Sequence, residues 1–183
     1  MNRNFLRTVV LILMVFVFFI SCKKEDETGL NEEELITTLR LSLKETGSAT
    51  TKVFEFNDPD GTGGNPPVKF DPIILDPNKN YTCTLEVLNE SVTPAENISF
   101  EIATEAEDHQ FYYEPAGVNI TVSALNTDGN GLPVGLTSTW ITGGASNGTV
   151  KITLKHKPGT KAAGDPTSKG ETDIEVSFTA AVQ

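Results

Sequence analysis

Apolar and polar residues alternate with a period of two along most of this chain, and that restricts it to sheet. Near the C-terminus, Ile174, Val176, Phe178, Ala180 and Val182 fall on one side of an extended segment, while Glu175, Ser177 and Thr179 fall on the other. Successive side chains of a strand point to opposite faces, so the pattern places one face in a core and one in water. Leu35, Thr37, Leu39, Leu41 and Leu43 alternate in the same way with Ile36, Thr38, Arg40, Ser42 and Lys44. Similar segments cover 51–56, 68–74, 81–88, 111–114, 118–125, 136–142, 149–156 and 172–182, with turn residues between them and threonine on many outer faces. Parallel sheets buried on both faces read as continuous apolar runs instead. The expectation is an all-β fold, an immunoglobulin-like antiparallel β-sandwich of about nine strands.

One segment departs from that period. Thr93, Pro94 and Glu96 supply a hydroxyl N-cap, a proline at the first helical position and a glutamate at the third, which form a capping box. Ala95, Ile98, Ile102 and Ala106 then recur at helical spacing, and Glu101, Glu105, Glu107 and Asp108 make the other face acidic. A short acidic helix over 94–108 is expected to pack on the sandwich.

The first residues are an address rather than fold. Asn2, Arg3, Asn4 and Arg7 precede the apolar run Val9 to Ile20, and Ser21 is a small residue just before Cys22. A basic start, a short apolar core and a small residue at the cut describe a secretory signal. The run is too short for a membrane-spanning helix, which needs roughly 20 apolar residues. Phe19-Ile20-Ser21-Cys22 resembles the lipobox of bacterial lipoproteins, which implies cleavage before Cys22 and acylation of its thiol. The expected organisation is a signal peptide over 1–21, a lipidated cysteine and flexible tether over 22–31, and one β-sandwich domain over 32–183. The charged run Lys23-Lys24-Glu25-Asp26-Glu27 resembles the export tags of surface lipoproteins in Bacteroidota, which implies anchoring in the outer membrane and possible surface exposure.

Removing the signal leaves 12 basic against 25 acidic side chains, a formal charge of −13. Such a surface repels phosphate backbones, so nucleic acid is not expected as a partner. With Cys22 acylated, Cys83 is the one remaining thiol and no intramolecular disulfide can form. Cys83 sits on the apolar side of the 81–87 alternation and reads as a small buried hydrophobe.

The sharpest chemical constellation is Glu101, Glu105 and His109, spaced by four so that they share one helical face. Carboxylate and imidazole both suit zinc, and His156 at the end of its strand is a further candidate ligand. The competing reading is a solvated acidic face with a histidine favoured by the helix dipole. Two loops, 57–64 and 126–131, gather oxygen side chains around glycines, as calcium requires. Neither closes with the glutamate of an EF-hand, and Asp-Gly and Asn-Gly also serve tight turns. Phe111, Tyr112, Tyr113 and Trp140 read mainly as core, with Trp140 placed like the central tryptophan of an immunoglobulin domain. No nucleophile elbow or concentrated catalytic set is present, so no enzyme activity and no cofactor are expected, with zinc the alternative.

Asn31-Glu32-Glu33-Glu34-Leu35, Leu88-Asn89-Glu90-Ser91 with Pro94-Ala95-Glu96, His109-Gln110-Phe111 and Gly170-Glu171-Thr172-Asp173-Ile174 together resemble a family of small Bacteroidota lipoproteins. Members are sometimes labelled "type 1 periplasmic binding fold superfamily". The fold named there has two α/β lobes, which disagrees with the alternation, and all-β is the expectation retained. The resemblance brings no established activity, but it implies a role accessory to an outer-membrane TonB-dependent receptor. The functional expectation is a non-enzymatic binding or interaction module anchored to a membrane, its small-molecule ligand, if any, unspecified. A zinc-binding protein and a structural or adhesive surface module are the alternatives.

Overall fold

The computed structural model describes residues 35–61 and 63–183. The expected signal peptide, Cys22, the tether and residues 32–34 lie outside the described residues. Within them the chain is all-β, with one helix of six residues. The strands are β1 Thr38–Glu45, β2 Thr51–Asn57, β3 Lys69–Phe70, β4 Ile73–Leu75, β5 Asn80–Asn89 and β6 Glu96–Asn97. The helix α1 Ser99–Thr104 follows, then β7 His109–Ala116, β8 Ile120–Ser123, β9 Thr137–Thr142, β10 Ser146–His156 and β11 Glu171–Val182.

They form two sheets. The larger runs β3-β2-β1-β5-β9-β8 with β6 paired to β5, and the smaller runs β4-β11-β10-β7. The core is sandwich-like. Leu39, Leu41 and Leu43 of β1 are fully buried and meet Phe54 and Phe56 on β2 and Cys83, Leu85 and Val87 on β5 in register. The smaller sheet contributes Val150, Ile152, Leu154, Val176 and Phe178. Trp140 is fully buried, and its indole Nε1 donates to Ser138 Oγ at 3.0 Å, so the one polar atom of the ring is satisfied. Burying side chains of this size contributes about 1.5–3 kcal/mol each.

The expected single strand over 68–74 is two. Pro72 has no N–H to donate, so a ladder cannot run through it. Asp71 N donates to Glu55 O at 2.9 Å while the next residues leave for the other sheet. There β4 pairs with β11 in parallel, Ile73 opposite Ala180, so the sandwich is antiparallel with one parallel pair. Phe70 bridges the sheets, its ring 5.3 Å from Phe56 and 5.4 Å from Phe178. At the N-terminal end of β1 the alternation also gives way. Leu35 is exposed, and Thr37 and Thr38 are both buried because Thr37 Oγ1 accepts from Glu90 N at 2.8 Å and donates to Leu88 O at 3.2 Å.

The helix is shorter than the expected 94–108 at both ends. Glu96 and Asn97 pair with Asn89 and Leu88 of β5, so the backbone of the would-be first turn belongs to a sheet. The helix starts instead where Asn97 Oδ1 accepts from Ser99 N at 3.0 Å and Ser99 Oγ accepts from Val87 N at 2.7 Å. At the other end, residues 109–116 pair along β10 as far as Ala116 opposite Thr149, a longer hydrogen-bonded run than the helix could offer. Ile98 and Ile102 are buried as the spacing predicts, while Ala95 is exposed.

Candidate functional site

The end of α1 and the adjoining ends of β7 and β10 hold the four expected zinc ligands. Glu101 and Glu105 are exposed on and just after the helix. His109 is no longer helical: it opens β7 directly opposite His156 of β10. The continuous Glu101–Glu105–His109 face therefore does not form, because the last helical residue is Thr104. The two histidines do come together, their rings stacked at 4.7 Å and 13°. His109 is buried, and its Nδ1 lies 3.0 Å from Glu105 O. A carbonyl only accepts, so Nδ1 carries the proton and Nε2 keeps the lone pair. Burial lowers the His109 pKa, opposed by that hydrogen bond, so the imidazole is held neutral. Among the described residues, no three His, Cys, Asp or Glu side chains are gathered as a metal-holding group.

The two glycine-rich acidic loops differ in what neutralises them. In the 126–131 loop, Asp128 Oδ1 accepts from Asn130 N and Leu132 N, each at 2.9 Å. Its Oδ2 meets Lys161 Nζ at 2.8 Å, with the two side chains 0% and 2% exposed. That loop is a turn closed by the protein's own cation, and Asp128 is held below the usual carboxylate range by Lys161 and these amides against the cost of burial.

The 57–61 turn lacks such a counter-charge among the described residues. Asp58 is only 8% exposed, and its Oδ1 has no hydrogen-bond partner. Burial raises its pKa, and the neighbouring Asp60 carboxylate raises it further. Asp60 is lowered instead, because Asn65 N and Nδ2 donate to its Oδ2 at 2.8 and 2.7 Å. The carboxylate lies so close to Gly64 that a Cβ there would stand 2.3 Å from Oδ2. Asp58 lines a cleft of about 290 Å³ together with Ile36, Phe56, Thr172, Asp173 and Glu175.

Other chemically capable groups serve the fold. Cys83 is fully buried and its thiol is pushed up to about 12 by burial, far from thiolate reactivity at neutral pH. Of the aromatic run, Phe111 is core, Tyr112 donates to Asp165 O at 2.8 Å and Tyr113 donates to Gly135 O at 2.6 Å. Lys157 is buried; its ammonium donates to Gln110 Oε1 at 2.9 Å and to Tyr112 Oη, and lies 3.7 Å from Asp165. Lys157 and Lys161 carry no signal in the sequence, where they look like ordinary solvated charge; their burial depends on long-range contacts.

The outer face of the larger sheet carries rows of hydroxyl side chains. Strand register aligns Val53, Ser42, Thr84 and Thr137 in one row. Thr51, Lys44, Thr82, Thr139 and Ser123 form the next, crossing five strands. At the usual strand spacing that row spans about 19 Å. Val53 and Ile141 are 48% and 44% exposed beside these hydroxyls. The chain matches no family model, no curated protein and no solved structure.

Proposed function

We propose that this protein is a lipoprotein anchored through Cys22 to the outer membrane, whose immunoglobulin-like domain is a non-enzymatic binding or interaction module. The observation that carries the recognition role is the hydroxyl-rich face of the larger sheet. Rows of threonine and serine offer donors and acceptors at regular spacing with little side-chain entropy to lose, and Val53 and Ile141 add apolar contacts. The immunoglobulin-like reading draws on the two mainly antiparallel sheets around buried Trp140. Anchoring draws on the lipobox-like approach to Cys22; no helix among the described residues is long and apolar enough to cross a membrane. The resemblance to Bacteroidota lipoproteins makes an outer-membrane TonB-dependent receptor the partner class to test.

A photo-crosslinking residue placed at Thr84 in cells should yield a discrete adduct with an outer-membrane protein. The same probe at Glu175, on the smaller sheet, should not. No adduct from Thr84, or equal adducts from both positions, would refute recognition through the hydroxyl face.

A second reading, zinc binding, has one specific observation in its favour. His109 Nδ1–H is held by a backbone carbonyl, the arrangement that commonly orients a ligating imidazole and leaves Nε2 for the metal. His156 and Glu105 are the neighbouring candidates, with Glu101 one turn back. For both imidazoles to serve one ion, the ring stack has to open.

A further inference from the structure

The structure assigns Asn130 as a site of spontaneous deamidation by water, and it protects Asn147, the other asparagine followed by glycine, from the same reaction. The reaction passes through a cyclic succinimide. The main-chain nitrogen of the following residue attacks the side-chain carboxamide carbon, the new C–N bond replaces the one to Nδ2, and ammonia leaves. Water then adds to one of the two ring carbonyls, giving aspartate or isoaspartate. Glycine is the favourable neighbour because it has no Cβ to obstruct that approach and its backbone turns freely. As sequence, Asn130-Gly131 and Asn147-Gly148 are therefore equal candidates.

Exposure does not separate them, since both asparagines are exposed. What differs is the cost of turning the following peptide toward the carboxamide. Asn130 and Gly131 lie in the 128–131 turn, where Gly131 is exposed, has φ +78° and has no atom within 4 Å of the place a Cβ would take. Its nitrogen is tied by one main-chain hydrogen bond, Gly131 N to Asp128 O at 3.1 Å. Breaking that bond exchanges a protein partner for water at modest net cost. Asn147 stands in β10 opposite Ala181 of β11, with Gly148 opposite Ala180. Gly148 is also pressed against the end of β7 and the chain beyond it: a Cβ there would stand 2.1 Å from Ala116 O and 2.6 Å from Val118 N. Turning the 147–148 peptide drives main chain into those atoms or pulls it from the ladder, so Asn147 reacts only when this end of β10 opens. The product at Asn130 bears on the fold. Each event puts a carboxylate two residues from Asp128, and isoaspartate carries the main chain through its own Cβ, lengthening the path between Asp128 and Leu132. Asn130 N and Leu132 N are the donors that hold Asp128 Oδ1 at 2.9 Å, so the turn that positions Asp128 against Lys161 is loosened.

The test follows the full mature chain, purified in detergent, through incubation at mildly alkaline pH in water labelled with heavy oxygen. Proteolysis and mass spectrometry should find label entering at Asn130 about tenfold or more faster than at Asn147, a ratio that corresponds to about 1.4 kcal/mol of strand opening. In chaotrope, with the sheets gone, the two rates should converge. Asn130→Gln requires a larger, slower-closing ring and keeps the main-chain bonds of the turn, so it should remove the label at 130 without raising it at 147. The deamidated fraction, separated by ion exchange, should melt below the unmodified protein. No label at Asn130, equal or faster reaction at Asn147 in the folded chain, or a ratio that persists in chaotrope would overturn the assignment. An unchanged melting temperature would overturn the loosening of the turn.

Discussion

Replacing Asp128 with asparagine should expose how the 126–131 loop is held. Asparagine keeps the size of the side chain and can keep its oxygen acceptor for Asn130 N and Leu132 N, so the turn itself loses little. What it removes is the negative charge 2.8 Å from Lys161 Nζ, at a place where both side chains are almost wholly buried. Lys161 Nζ still donates to Ala106 O at 2.7 Å, but its charge is then unpaired away from water. Breaking one side of a buried ion pair costs about 3–5 kcal/mol, and the surviving carbonyl contact favours the lower end. For a domain of this size, about 3 kcal/mol corresponds to a fall of about 6–12 °C in melting temperature. Lys161→Met should also destabilise, but the double variant should cost clearly less than the two singles together, because it leaves neither charge stranded. Thermal unfolding of the three variants and the parent gives the coupling directly. Single effects that add to within about 0.5 kcal/mol would refute a buried, mutually dependent pair.

Two further outcomes are expected. Cys22→Ala should abolish incorporation of radioactive fatty acid and move the protein out of the membrane fraction; equal labelling of the variant would end the lipoprotein reading. Calorimetric titration of metal-free protein with zinc should give one saturable site, lost in His109→Ala, weakened in Glu105→Ala and abolished at low pH. Because burial lowers the His109 pKa, that loss should come below the ordinary imidazole range near 6.5, and no heat at micromolar zinc would dismiss the site.

The fold class was legible because burial acts on alternate residues, and β11 follows its sequence pattern from Ile174 to Val182 with Val176, Phe178 and Ala180 all buried. The helix was misjudged for a reason that sequence periodicity does not contain. A capping box is a local preference of about 0.5–2 kcal/mol, and here the β5 strand offers Glu96 and Asn97 a competing set of main-chain hydrogen bonds. Pairing between residues far apart also explains why His109, placed on a helix by spacing, sits on a strand beside His156. The two acidic loops make the same point about sites. Asp-Gly turns at 60–61 and 128–129 look alike as sequence, and what separates them is a lysine 33 residues away that reaches one and not the other. Local composition selects the residue types a cation site needs; whether the protein supplies its own cation depends on a long-range contact. The contrast between Asp58 and Asp128 therefore emerges only when the chain is folded.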